Sequence, residues 1–156
     1  LNVGDIFSSW TFAGETTALA ARNATLLVLE TTNALANLHA QGQRYGDGLV
    51  EILARYELPA TVWGHPSRLA VRWKGFGPTV NAELLRTWWM AEHARRGVLL
   101  GIGVIFPQSC WDDNDVTLLL EAANEVAHLM RDAIDLGVLA EQCPCPIIAD
   151  VLAVRP

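Results

Sequence analysis

Thr61-Val62-Trp63-Gly64-His65-Pro66-Ser67-Arg68-Leu69-Ala70-Val71-Arg72-Trp73-Lys74 is the stretch on which the fold class turns. Thr61 to Trp63 and Arg68 to Lys74 are strand-like. β-branched and aromatic residues are frequent there, and apolar and polar positions alternate in part. His65-Pro66-Ser67 supplies a turn between the two runs, so the stretch reads as a β-hairpin. Gly75, Gly77 and Pro78 then mark a loop.

On both sides of the hairpin the pattern is helical. Glu15 to Glu30 is rich in Ala and Leu and free of Gly and Pro, which predicts a helix. Its apolar residues occupy most faces, so the helix is expected to be buried on several sides. A second helix is predicted from Asn33 to Tyr56, with Pro59 ending the stretch. Gly42, Gly46 and Gly48 interrupt it at about 1 kcal/mol each relative to Ala, which points to a bend or to close packing against another element. Before all of these, Ile6 to Gly14 reads as a short extended segment running into a turn.

Downstream, Asn81 to Arg95 predicts a third helix with Gly97 as its stop, and Leu84, Leu85, Trp88 and Trp89 fall on one side of it. Val98 to Phe106 is an apolar, glycine-containing run that reads as a buried strand. Asp112 opens the last long helix, and Asp115 completes a capping-box-like pattern with Asp in place of the usual Glu. That helix is expected to run to Leu136, where Gly137 ends it. Pro144 and Pro146 make the next stretch irregular, and Ile147 to Val154 is expected to form a final edge strand. The order helix, helix, hairpin, helix, strand, helix, strand predicts an α+β fold in two layers, a small sheet packed by several helices.

Composition narrows the function. At 156 residues the chain fits one ordinary domain. Half of it is apolar, which excludes disorder and suggests that some apolar surface meets another domain or subunit. Net charge is −6 and the eleven basic residues are scattered, which argues against nucleic-acid binding. No apolar run approaches the length that spans a bilayer. Leu1 to Phe7 lacks a basic n-region, so no signal peptide is expected, and cytoplasmic localisation follows as the expectation. Cys110, Cys143 and Cys145 are odd in number, and Cys143-Pro144-Cys145 has the wrong spacing for a zinc pair, so ordinary reduced thiols are expected.

Nucleophile elbows, phosphate loops, dinucleotide fingerprints and zinc-protease motifs are absent. Gly101-Ile102-Gly103 is an empty partial match. His39, His93 and His128 fall within helices, where packing or solvation explains them, and His65 lies in the hairpin turn, where scaffolded loops tend to hold functional groups. The acidic run Asp112 to Asp115 is explained by a helix start, not a cation site. Trp88 and Trp89 must point to neighbouring faces. Core packing is the simplest role for the pair, with an interface open for one of them. Lys74, the chain's single lysine, sits at a strand end beside Gly75, where a solvated ammonium is expected rather than a cofactor tether.

Four motifs in one order carry a resemblance. Phe7-Ser8-Ser9-Trp10-Thr11-Phe12-Ala13-Gly14-Glu15 followed by an Ala-rich helix resembles the segment that precedes such a helix in class III pyridoxal-phosphate aminotransferases. Within them it looks most like the glutamate-1-semialdehyde aminomutase-like branch. Gly64-His65-Pro66-Ser67-Arg68 resembles that family's turn before its hairpin, Arg95-Arg96-Gly97-Val98-Leu99 its strand entry, and Asp112-Asp113-Asn114-Asp115-Val116 its helix start.

The resemblance implies the C-terminal part of a fold-type-I enzyme, a dimer whose pyridoxal phosphate lies between a large domain and the neighbouring subunit. Residues 1–32 would then be a cofactor-proximal segment and linking helix, and residues 33–156 the C-terminal small domain. Thr11 would reach the cofactor phosphate across the dimer, with Trp10 as its neighbour in the site. The Schiff-base lysine and the aspartate paired with the pyridine nitrogen would belong to the large domain, upstream of the matching region. The chain is therefore expected to be inactive alone, as part of an enzyme acting on an amino or keto compound. A non-catalytic binding or dimerisation module with the same fold is the alternative.

Overall fold

In a computed structural model that describes residues 15–75 and 79–148, the hairpin forms from two six-residue strands, β1 (Ala60–His65) and β2 (Arg68–Trp73). They pair antiparallel from Ala60↔Trp73 to His65↔Arg68, so Pro66 and Ser67 alone make the turn. The side-chain alternation of strands then sorts the hairpin into two faces. Val62, Leu69, Val71 and Trp73 share the face that packs on the core, and Trp63, Arg68 and Arg72 share the other.

The described residues also form four helices: α1 (Thr16–Thr31), α2 (Ala34–Arg55), α3 (Ala82–Arg95) and α4 (Asp113–Asp135). This helix-and-small-sheet composition agrees with the expected α+β class. The chain divides into two compact units, Leu1–Leu35 and Ala36–Pro156.

The larger unit holds the core. α2 contributes Tyr45, Leu49, Ile52 and Leu53, α3 contributes Leu84, Leu85, Trp88 and Trp89, and α4 contributes Val116, Ala123, Val126, Ala127 and Met130. The inward residues of α4 are mostly small, recurring at helical spacing, which lets the bulkier side chains of α2 and α3 fill the space against it. Both Trp88 and Trp89 are buried, each 3% exposed, so neither faces a partner. Trp89 meets the rings of Trp73 in the hairpin and of His93 in tilted contacts, with centroids 5.4 and 4.4 Å away.

The glycines of α2 produce no break; the helix is continuous. Gly42 and Gly48 serve close packing instead. A Cβ on Gly42 would stand 2.0 Å from the Pro66 carbonyl oxygen, and one on Gly48 would stand 2.6 Å from a Leu120 methyl.

α4 begins as its sequence predicts. The Asp112 carboxylate accepts from the amides of Asn114 and Asp115 at 2.8 and 3.0 Å, and the Asp115 carboxylate accepts from the Asp112 amide at 3.0 Å. Asp112→Ala should therefore cost about 1 kcal/mol, read as a lower urea midpoint at unchanged slope. A midpoint equal to that of the parent would show that the box is ornamental. Asn81 caps α3 in the same manner, accepting from the Leu84 amide at 2.7 Å.

Two expectations fail. Val98 to Phe106 is not a strand: one antiparallel bridge joins Ile105 to Leu69, through bonds of 2.9 and 2.7 Å, and the rest is irregular. Gly103 takes a positive φ of 78°, and Leu99 is 88% exposed, so the run neither keeps an extended path nor buries its apolar residues. β2 thus meets a third segment at one residue only, and the outward amides and carbonyls of Val71 and Trp73 have no backbone partner among the described residues.

The second failure is α1, which has no buried residue; Leu26, Leu27 and Val28 are exposed. Its unit contains no second described element to cover those faces. The segment Ile6 to Gly14 and nearly all of the expected strand Ile147 to Val154 lie outside the described residues, and Ile147 and Ile148 themselves are irregular.

Candidate functional site

The hairpin's outward face and the irregular run that follows α3 border two pockets of the larger unit. Arg72 in β2 and Trp63 in β1 are diagonal neighbours on that face, and the guanidinium lies 4.2 Å from the centre of the indole ring. Beside them a pocket of about 440 Å³ opens, lined by Trp63, Arg72, Trp73, Glu83, Arg86 and Ile102 among others. Its inner wall is fixed by Arg86, which donates to the Ile148 carbonyl at 2.8 Å. On the other side of Ile102 lies a second, more apolar pocket of about 470 Å³, whose lining includes Tyr45, Leu99, Phe106 and Trp111. Burial pushes the Tyr45 hydroxyl well above its ordinary range, so this tyrosine remains neutral.

Behind these pockets the core is stiffened by charge. Glu92 is 7% exposed and accepts from Arg95 at 2.9 Å and from Arg96 at 2.8 Å, while Arg96 also reaches Glu125 of α4 at 3.0 Å. The hydrogen bond to Glu92 raises the Arg96 pKa, fixing its charge. His93, fully buried next to this cluster, bonds through Nδ1 to the Trp89 carbonyl at 2.8 Å. A carbonyl can only accept, so Nδ1 carries the proton, and Nε2 is buried without a partner among the described residues.

The residues singled out from sequence fall in different places. Thr11 and Trp10 lie outside the described residues. Lys74 is exposed at the end of β2. His65, expected in the turn, is the last residue of β1; its Nδ1 lies 2.9 Å from the Ser67 hydroxyl and accepts from the Ser67 amide, which gives it a turn-stabilising role. His128 pairs with Asp132 at 3.2 Å on the surface of α4. Cys110 is exposed, and Cys143 and Cys145 are half-buried free thiols, with the Cys143 thiol donating to the Cys145 carbonyl at 3.3 Å. Among the described residues no group of three or more His, Cys, Asp or Glu side chains could hold a metal ion.

The one hydroxyl that hydrogen-bonds an imidazole among the described residues is that of Ser67, and it meets His65 at the turn, away from both pockets. What this surface offers is recognition: aromatic walls, a cation and shape. The stacked Arg72–Trp63 pair was not singled out from sequence, although the diagonal spacing that brings the two together was readable once the turn was placed.

No family model matches the chain, and no curated protein does. Solved structures do share its fold. One is the FumI protein of Sphingopyxis sp. MTA144 in its PLP internal aldimine form, with a TM-score of 0.67 and 23% identity over 85% of this chain. A transaminase with PLP bound matches with a TM-score of 0.58 and 18% identity over 74% of this chain. An omega-transaminase from Sphaerobacter thermophilus matches with a TM-score of 0.63 and 16% identity over 79% of it. The chain spans about a third of the length of these structures, 31%, 26% and 30% of each. No described helix is long and apolar enough to cross a membrane.

Proposed function

We propose that the chain is the C-terminal part of a PLP-dependent aminotransferase or aminomutase of class III, close to the glutamate-1-semialdehyde aminomutase-like branch, and that it does not catalyse alone. The observation that carries this reading is the asymmetry of the structural match. Most of this chain superposes on less than a third of each PLP-linked transaminase, so the remainder of such an enzyme corresponds to nothing in these residues.

In this reading the described residues do not make a cofactor site by themselves. An electron-sink cofactor needs an amine tether in a protected pocket. The single lysine, Lys74, is exposed and lines neither of the pockets beside the hairpin. In this reading the tether and the pyridine-nitrogen partner come from a large PLP-binding domain. Thr11, with its neighbour Trp10, supplies a hydroxyl and amide to the cofactor phosphate in a homodimer, a role suited to the turn before a helix. Residues 1–32 form the cofactor-proximal segment and linking helix, and residues 33–156 the small domain. The apolar faces of α1, exposed here, fit a helix meant to be covered by further protein. Cytoplasmic localisation belongs to the same reading.

Mixing the purified chain with pyridoxal phosphate tests it. The expected result is no stable yellow adduct and no exchange of amino groups between an amine and a carbonyl compound, with Lys74→Ala behaving like the parent. A stable adduct lost in Lys74→Ala, or turnover by this chain alone, would overturn the proposal.

A further inference from the structure

We propose that the pocket at the outer margin of the hairpin is a binding site for a small organic anion, with Arg72 receiving a carboxylate or phosphate group and the Trp63 indole receiving a flat apolar body. The site stands whether or not the chain belongs to a transaminase.

Charge is segregated toward the hairpin's outward face. Between Glu57 and Glu83 there is no acidic residue, and the same interval holds Arg68, Arg72 and Lys74, in a chain whose net charge is −6. Register places Arg68 and Arg72 on one side of β2 with Trp63 between them on β1. A cationic strip on an otherwise acidic protein makes a local field that attracts anions.

Arg72 is the best-placed member of the strip. Stacking at 4.2 Å holds its guanidinium against the Trp63 ring and leaves the edge of the fork, where its N–H groups point, for a ligand. Among the described residues no carboxylate or carbonyl accepts from it. Elsewhere Arg44, Arg95, Arg96 and Arg131 each meet a carboxylate, so Arg72 differs from them. A planar fork held in one orientation matches two oxygens of a carboxylate or phosphate with less ordering cost than a free side chain.

The pocket beside it fixes the rest of the ligand. About 440 Å³ is room for a small molecule, and its walls are indole, Ile102 and the bare backbone of Gly103. Glu83, in the first turn of α3, lines the same pocket and disfavours an anion placed deeper. The charged end is therefore kept at Arg72 and the apolar end within.

The test follows the Trp63 indole N–H resonance of the nitrogen-15-labelled chain, assigned through Trp63→Phe. Benzoate, phenyl phosphate and benzyl alcohol are titrated as probes. Saturable shifts are expected with benzoate, phenyl phosphate or both, the stronger of the two telling whether a carboxylate or a phosphate source suits the site. Benzyl alcohol, the neutral control, should not saturate. Arg72→Gln should weaken anion binding about tenfold or more, since it removes a charge-assisted paired contact. Arg131→Gln removes the same charge from α4 and should change affinity by no more than about twofold, because exposed distant charges are screened. Because Arg72 is exposed, its replacement leaves the core intact, and unchanged circular dichroism verifies that. Absence of saturation with either anion, equal response to benzyl alcohol, or equal losses in the two arginine variants would each refute the site.

Discussion

Gly42→Ala should destabilise the larger unit by about 3 kcal/mol, lowering Tm by roughly 6–12 °C for a chain of this size. In an exposed helix the same change would stabilise by about 1 kcal/mol, because alanine is the better helix former. Here the new Cβ would meet the Pro66 carbonyl oxygen at 2.0 Å and its carbon at 2.8 Å. Both are backbone atoms in a two-residue turn, which cannot swing aside as a side-chain terminus can. Relief requires α2 and the hairpin to separate, and that loosens the packing of Leu69 against the core. Gly46 is the internal control: its Cβ would touch the Leu69 methyls at 3.4 Å, an ordinary contact, so Gly46→Ala should be close to neutral. Thermal melts of the two variants side by side settle the matter. Equal stability of the two would show that the turn does not press on α2.

Acid should unfold the protein through His93. Burial is the main cause that lowers its pKa from 6.5 to about 4; the Trp89 carbonyl and Glu92 push the other way, and Arg96 adds to the lowering. The sign follows from which state takes the proton. Above pH 6.5 the imidazole is neutral in both folded and unfolded chains, and its environment costs nothing further. As pH falls from about 6.5 toward about 4 the unfolded chain binds a proton that the folded chain refuses, so stability drops throughout that window and then levels off. The full loss is about 3 kcal/mol, at 1.36 kcal/mol per pKa unit. Urea denaturation at pH 7 and at pH 4 measures it, with His93→Leu as the comparison. Subtracting the variant's own pH dependence removes the contribution of the carboxylates common to both. If parent and variant lose the same stability between the two pH values, His93 is not the acid-sensitive group.

How far the sequence carried depends on the kind of signal. Local signals were legible. Asp112 and Asp115 announce a helix start because capping needs only residues within one turn of each other, and His65-Pro66-Ser67 announces the hairpin for the same reason. The helices α1 to α4 fall within a residue or two of their expected ends. Signals that depend on distant partners were not legible. Val98 to Phe106 is apolar enough for a buried strand, yet only Ile105 finds a partner in Leu69, and composition cannot report that. Core packing was the simplest expectation for Trp88 and Trp89, and both are buried, but the sequence left an interface open for one of them. Trp73 of the hairpin and His93 both pack on Trp89, and Trp88 is buried beside it in α3.

The site divides along the same line. The stacked Arg72 depends on strand register, which the sequence fixes once the turn is known. That no acidic partner meets it among the described residues is a fact of three dimensions. Thr11 and Trp10 came from resemblance, and the described residues do not include them.

The outward margin of β2 has a consequence for handling the protein in solution. Among the described residues the outward amides and carbonyls of Val71 and Trp73 have no backbone partner, and such an edge is a template onto which another copy's strand can zip. Two copies joining antiparallel at that margin would bring like charges from Arg72 and Lys74 toward each other, a built-in deterrent to clumping. Salt weakens that deterrent, so concentrated stocks keep best in dilute buffer.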